Sequence, residues 1–409
     1  MSEAMTQTEA ATQLARLRLK PNEDRRLKQG HLWIYSNEVD TKATPLKSFA
    51  PGQQVVVEAA NGKALGLAYV NPNTLICARL LSRSVKGTLG YKLLKKRIQA
   101  AQSLRELYYH EPFYRLVYGE SDALPGLVID RFGDVFSVQI ATAGMEAVTD
   151  TILEVIINLY QPQAIMLKND LPARELEGLP RYEKVAYGTL PDALVIMENQ
   201  TEFVIPVADG QKTGWFYDHR EARKQLQQLV KGKTVLDVFS YLGGWGLEMA
   251  TAGAKEVTCV DASELALDGV DQNALRNGVA DKVITIQGNA FDVLKALKAE
   301  AHKYDVVIVD PPAFVKKKKD LRSGSEGYRR INELAMRVLE RDGILVSASC
   351  SYHMSRDGLI KQVNLAARHI DRSIQLIAQG HQAPDHPIHP AIPETEYLKS
   401  LFFRVGQSW

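Results

Sequence analysis

Val235-Leu236-Asp237-Val238-Phe239-Ser240-Tyr241-Leu242-Gly243-Gly244-Trp245-Gly246 runs from a short apolar stretch, through an acid, into a glycine-rich turn. The apolar residues predict a buried strand. The glycines let the following backbone turn tightly and approach a ligand with no Cβ in the way. The G-x-G-x-x-G spacing of a dinucleotide fingerprint is absent. Downstream, Glu256–Val260, Val283–Gln287, Val306–Asp310 and Gly343–Ser347 are further short apolar runs, each followed by a helical or turn-rich stretch. That alternation predicts an α/β fold built on a doubly wound parallel sheet. Such sheets bind ligands at the carboxyl ends of their strands, and Asp237, Asp261, Asn289 and Asp310 fall there.

Asp261 ends the second strand, where a carboxylate can accept hydrogen bonds from both ribose hydroxyls of an adenosine. Asn289 beside Ala290 ends the third, a polar and an apolar group suited to the edge and face of an adenine. Singly, each is as well explained as a helix cap. Together, at successive strand ends, they resemble motifs I, II and III of class I methyltransferases. The resemblance implies S-adenosylmethionine held by Asp237, Ser240, Tyr241 and Gly243, by Asp261 and Ser263, by Asn289 and Ala290, and by Asp310 and Pro311.

Two more stretches carry chemistry. Asp305 to Phe314 is a buried strand running into Asp310-Pro311-Pro312-Ala313-Phe314, where the prolines restrict the backbone and fix the Asp310 carboxylate. Such a turn can grip the edge of a flipped-out base through Asp310 and Pro312 while Phe314 packs on or near it. Ile344 to Ser351 places the Cys350 thiol just past another strand; sequence alone does not make the two strand ends neighbours. C5 of a pyrimidine is a poor nucleophile until a thiolate adds at C6, and cysteine is both nucleophile and leaving group near neutral pH. The competing reading of Cys350 is a core cysteine, the reading preferred for Cys77 and Cys259.

Upstream, strand-like runs at Ala15–Leu19, Gln54–Glu58, Leu65–Val70 and Ile76–Leu81, separated by Pro-Gly and Asn-Gly turns, predict a β-rich module at 14–86. A central α+β segment follows at 88–189: a basic helix at Tyr91–Tyr108, a hairpin of Leu127–Asp130 and Val135–Ile140, a helix at Met145–Tyr160 and a strand at Ala164–Lys168. Leu171 to Arg174 reads as a break. The methyltransferase-like segment takes 190–409. Among 409 residues, 45% are hydrophobic and 24% charged, an ordinary globular balance. No run suits a membrane span. The polar Met1–Thr12 lacks a signal core, and three scattered cysteines fit a reducing, cytoplasmic setting.

Over nearly its whole length the chain resembles the bacterial 23S ribosomal RNA large-subunit methyltransferases that make 5-methylcytosine. The resemblance is carried by Gly30-His31-Leu32-Trp33-Ile34-Tyr35-Ser36-Asn37-Glu38, by Gly119 to Leu127, by Gln211 to Arg220, and by the Asp237, Asp310 and Cys350 stretches. It implies an N-terminal PUA RNA-binding domain, with Phe216, Asp218 and Arg220 at the methionine end of the cofactor and Cys350 as nucleophile. It also implies 23S rRNA as partner, and admits a homodimer. Many RNA cytosine-C5 enzymes carry a second cysteine just after the prolines; Ala313-Phe314 stands there, leaving the C5-proton base unassigned. Trp215 and Trp245 stand where a Tyr or Phe is more usual. Lys20, Arg25, Arg26 and Lys28, and the run Lys316 to Lys319, are candidates for phosphate contact despite a net charge of only +2. His381, His386 and His389 lack metal-ligand spacing and read as a loop over the substrate or as solvent-exposed, with no metal. The rival readings are an amino-group methylase, which needs no thiol, and a non-catalytic RNA-binding assembly factor.

Overall fold

The computed structural model describes residues 14–206 and 214–407. In its C-terminal half the apolar runs form seven strands: β1 (Thr234–Val238), β2 (Glu256–Asp261), β3 (Val283–Gln287), β4 (Tyr304–Val309), β5 (Leu339–Ser349), β6 (Arg372–Gly380) and β7 (Lys399–Gln407). They hydrogen bond in the order β3-β2-β1-β4-β5-β7-β6. β1 to β5 are parallel and β7 is antiparallel to both neighbours. Helices cover both faces. Val306 and Ile308 enter one core layer and Val307 and Val309 the other, so β4 is apolar at every position rather than at alternate ones. The chain reverses its direction of growth between β1 and β4, and the crevice outside their carboxyl ends is the place for a ligand.

The N-terminal module is a five-stranded sheet in the spatial order Ala15–Arg18, Gln53–Glu58, Ala64–Val70, Ile76–Ser82, Trp33–Tyr35. The central segment is another, ordered Glu183–Gly188, Ala164–Lys168, Val135–Ile140, Leu127–Phe132, Phe113–Tyr118, with the helices Tyr91–Glu106 and Thr149–Tyr160 sharing its core. The helix expected at Met145–Tyr160 is two helices, Ala143–Glu146 and Thr149–Tyr160. The first is pinned by contact with the N-terminal module: a Cβ on Gly144 would lie 2.1 Å from the Tyr69 ring. The expected break at Leu171–Arg174 instead opens a short helix, Pro172–Leu176, with proline in its first turn. The strand Phe113–Tyr118 and the hairpin Leu194–Glu198/Thr201–Ile205 were not expected. Among the described residues no helix is long and apolar enough to cross a membrane.

The hairpin carries a buried acid. Glu198 accepts hydrogen bonds from Trp215 Nε1 (3.0 Å), Arg220 Nε (3.2 Å) and Arg223 Nε (2.8 Å). Burial opposes its ionisation, but Arg223 and Arg220 outweigh that and hold its carboxyl below the usual range. Beside it, burial and the charge on Glu198 push the Glu248 carboxyl well above that range. One of the two acids therefore carries the charge and the other the proton. Urea unfolding of Glu248→Gln is expected to show a cost under about 1 kcal/mol, since glutamine mimics a protonated acid. Glu198→Gln is expected to cost about 3 kcal/mol, the scale for stranding a buried charge. Because Glu248 can ionise in its place, the double variant should lose more than the sum of the singles by about 1 kcal/mol or more.

Candidate active site

The turn after β1 is conformationally strained. Phe239 and Tyr241 sit at φ 69° and 49°, and Gly243 at 83°. Two bulky residues in the left-handed region mark a backbone held there by its surroundings. Asp261, at the end of β2, supplies part of that hold: its carboxylate accepts from the backbone N–H of Tyr241 and of Ser263, each at 2.9 Å. Asp237 lies fully buried, its Oδ2 accepting from Gly246 N at 2.8 Å. Gly246 is required by packing. A Cβ there would lie 2.6 Å from Cys259 Sγ and 3.2 Å from Asp237 Oδ2.

Asp237 Oδ1 and the Ser240 hydroxyl are buried with no hydrogen-bond partner among the described residues. Buried polar atoms are rarely left so, and a group that binds here can satisfy them. Burial raises the Asp237 carboxyl to about 7; Gly246 N–H opposes the shift, and the charges of Asp310 and Asp261 add to it. Acidic, glycine-lined and holding two unpartnered polar groups, this crevice fits a cationic adenosyl cofactor. Ser263 and Asn289 also serve as helix caps, accepting from Ala266 N (3.3 Å) and Phe291 N (3.0 Å). Ala290 is buried in the first turn of the helix that Asn289 caps.

β4 and β5 pair in register, Val309 opposite Ser347, so the Asp310 turn and Cys350 emerge side by side. Ser349 and Ser351, flanking the thiol, both hydrogen bond the Tyr328 hydroxyl (2.8 and 3.0 Å). Ser351 Oγ also accepts from Val315 N at 3.2 Å, lashing the Cys350 turn to the Pro311-Pro312 turn. Cys350 is partly exposed, whereas Cys77 and Cys259 are buried; burial pushes the Cys77 thiol up to about 12 and raises that of Cys259 well above the ordinary thiol range. Phe314 packs its ring against Tyr328 (4.9 Å) and toward Phe291 (6.4 Å), as part of the wall. Pro311 is buried and Pro312 exposed.

Asp310 Oδ2 lies 3.1 Å from Trp245 Nε1 and 3.2 Å from His219 Nε2. Burial disfavours the His219 cation, but the Asp310 carboxylate reverses the balance and raises its pKa. Sequence alone assigns His219 no role and marks Trp245 only as unusual for its place; the fold brings both to Asp310. The residues expected at the methionine end divide. Phe216 meets Tyr241 edge-on at 5.8 Å, on the rim of the crevice. Asp218 accepts from Tyr397 Oη at 2.6 Å, and Arg220 is committed to Glu198 and to Phe113 O. Gln211, Lys212 and Thr213 lie outside the described residues.

The other motifs bind the modules together. The Gly30–Glu38 and Gly119–Leu127 stretches face one another across a cleft of about 730 Å³, lined by Trp33, Tyr35, Arg79 and Tyr118 among others. There Trp33 Nε1 donates to Glu120 (2.9 Å). Lys20, Arg25 and Lys28 are exposed, and Arg26 lies over the Tyr35 ring at 4.9 Å. The histidine tail is not simply solvated: His386 is buried on Asp385 (2.8 Å), whose backbone oxygen accepts from Arg105 (2.8 Å).

A parallel sheet with a reversed seventh strand, a glycine turn after β1 and acids at the carboxyl ends of β1 and β2 defines an S-adenosylmethionine-dependent methyltransferase. Residues 185–404 match the family model described in those words, and residues 17–83 match a PUA-like domain. The chain belongs to the ribosomal RNA large subunit methyltransferase I family. It is 36% identical over 397 residues to the protein of that name from Shewanella denitrificans, covering 95% of this chain and 99% of that one. To the Aliivibrio fischeri protein it is 35% identical over 392 residues, covering 95% and 98%. The fold is shared with an S-adenosylmethionine-dependent methyltransferase from Streptococcus mutans, with TM-score 0.80, 21% identity, and coverage of 96% and 100%. It is shared more distantly with Trm5b from Pyrococcus abyssi, with TM-score 0.52, 16% identity, and coverage of 68% and 74%.

Two outcomes are expected. Gly246→Ala should cost about 1–3 kcal/mol in urea unfolding, the scale of overpacking, and Cys259→Ala in the same chain should return most of it. Asp237, raised to about 7 in the folded protein, holds a proton that the unfolded chain has released by about pH 5. It therefore stabilises the cofactor-free protein at low pH, and that contribution fades as pH rises through 7. Asp237→Asn should flatten this part of the stability profile between pH 4 and 8.

Proposed function

We propose that the chain methylates C5 of a cytosine in 23S ribosomal RNA through a covalent bond between Cys350 Sγ and C6 of the ring. The observation that carries the reading is the pairing of β4 with β5, which brings a partly exposed thiol beside the Asp310-Pro311-Pro312 turn. An amino-group methylase has no use for that thiol. S-adenosylmethionine, when bound, supplies an electrophilic methyl group. The residues proposed to hold it are Asp237, Ser240, Tyr241 and Gly243, with Asp261, Ser263, Asn289 and Ala290 toward the adenosine, and Phe216, Asp310 and Pro311 toward the methionine end. Asp218 and Arg220 act by bracing the loop that carries Phe216.

Cys350 adds as thiolate to C6, and electron density moves to C5, which takes the methyl. Asp310, steadied at Oδ2 by Trp245 and His219, hydrogen bonds the ring near N3 and stabilises the adduct. A base takes the C5 proton, the C5–C6 double bond re-forms and the carbon–sulfur bond breaks, returning the thiolate. Pro312 and Phe314 shape the wall against which the flipped base rests.

The RNA reading rests on the family and the N-terminal module. Tyr352, two residues past Cys350, lies within electrostatic reach of Glu394 and of Tyr35 in that module. On this reading Lys20, Arg25, Arg26 and Lys28 hold the RNA backbone, with the exposed Lys316–Lys319 following the catalytic turn as a second contact. The same reading carries the divisions 14–86, 88–189 and 190–409 and a cytoplasmic location, and admits a homodimer.

Wild type and Cys350→Ala, incubated with labelled S-adenosylmethionine and unmodified ribosomal RNA, decide the chemistry by nucleoside mass spectrometry. 5-Methylcytosine from wild type and none from Cys350→Ala is the expected result. Methyl on another atom, or product without Cys350, overturns it.

A further inference from the structure

Lys399 opens β7 directly opposite Ser349, the last residue of β5. Its side chain is buried, and its Nζ donates to the Ser351 carbonyl at 2.7 Å. The ammonium thus spans the turn that carries Cys350, with one neighbour of the thiol as strand partner and the other as hydrogen-bond acceptor. Burying a cation costs several kcal/mol unless an anion accompanies it. Among the described residues no carboxylate forms an ion pair with Lys399; Glu396, nearby, pairs with Arg356 at the surface (3.3 Å). Burial lowers the Lys399 ammonium to about 8; Cys350 and then Glu396 oppose the shift, and Arg356 adds to it. Tyr328 faces the same thiol from the helix Leu321–Arg337.

We propose that Lys399 is the cationic partner of the Cys350 thiolate, a positioning residue that keeps the nucleophile ionised before RNA arrives. The proton leaves Sγ and rests on Nζ, giving thiolate and ammonium in place of thiol and amine, with no other reactant. The inference rests on Cys350 being the nucleophile. It explains why the proposed mechanism needs no separate base to activate the thiol.

With Cys77 and Cys259 buried, iodoacetamide alkylates Cys350 in the folded protein, and peptide mass spectrometry locates the adduct. The rate against pH is expected to show a midpoint below the ordinary thiol value of about 8.5. Lys399→Met should raise the midpoint by about one unit or more and slow alkylation at pH 7 about tenfold, while Lys399→Arg should restore most of the rate. Both variants should bind S-adenosylmethionine like wild type, which certifies their fold. An unchanged midpoint in Lys399→Met, or no rescue by arginine, overturns the pairing. Should Lys399→Met fail to bind cofactor, a wild-type midpoint at or above 8.5 overturns it instead. An unchanged midpoint together with a dead Cys350→Ala enzyme removes the pairing and keeps the nucleophile. A shifted midpoint with an active Cys350→Ala enzyme keeps the pairing as electrostatics and removes its catalytic role.

Discussion

The buried charge of Glu198 is the constraint on which the rest of the site depends. A carboxylate with no exposure is tolerable only when opposite charge surrounds it, and here Arg220 and Arg223 supply it from a single helix. That helix follows directly on the segment bearing Phe216 and His219. Neutralising Glu198 therefore fixes one rim of the cofactor crevice. The same arginines reach outward: Arg220 bonds the Phe113 carbonyl of the central sheet and stacks over Tyr109 (4.3 Å), and Arg223 bonds the Phe216 carbonyl. A single electrostatic requirement thus aligns the hairpin, the crevice rim and the central domain. Because the charge can migrate to Glu248, the arrangement survives the loss of either acid better than the loss of both.

The second determinant is strand register. A parallel pair offset by one residue would turn every side chain to the opposite face, taking Asp310 away from His219 and Cys350 away from the Asp310 turn. Because β4 is apolar on both faces its pattern alone does not select the register, which is locked past the strand ends by Tyr328, whose hydroxyl serves both Ser349 and Ser351. The serines flanking the thiol are a scaffold. They hold the turn inward while leaving Cys350 partly exposed.

How much was legible in the sequence follows from where each signal resides. β1 to β5 were legible because strands covered on both faces are written as unbroken apolar runs. β6 was not, since Arg372–Gly380 mixes four apolar residues with four polar ones in no clear alternation and none of it is fully buried at the sheet edge. Asp237, Asp261, Asp310 and Cys350 were legible because local sequence places them at strand ends. Their partners were not. Trp245 reaches Asp310 across 65 positions, Tyr397 reaches Asp218 across 179, and Ser400 reaches His219 across 181. No window of sequence contains such pairs. Trp215 and Trp245, unusual for their places, each spend an indole N–H on a carboxylate, which a phenylalanine cannot do. The histidine tail misled because Pro-rich loops are usually exposed; here Arg105 and Arg115 of the central segment draw it inward.

Three carboxylates, Asp237, Asp261 and Asp310, converge on the crevice, where burial first and then the charges of Asp310 and Asp261 raise the Asp237 carboxyl to about 7. On the proposed reading a cationic cofactor held in the crevice would offset the repulsion among them and favour the ionised form of Asp237. An uncharged side chain of the same shape would fill the same space and lose that response.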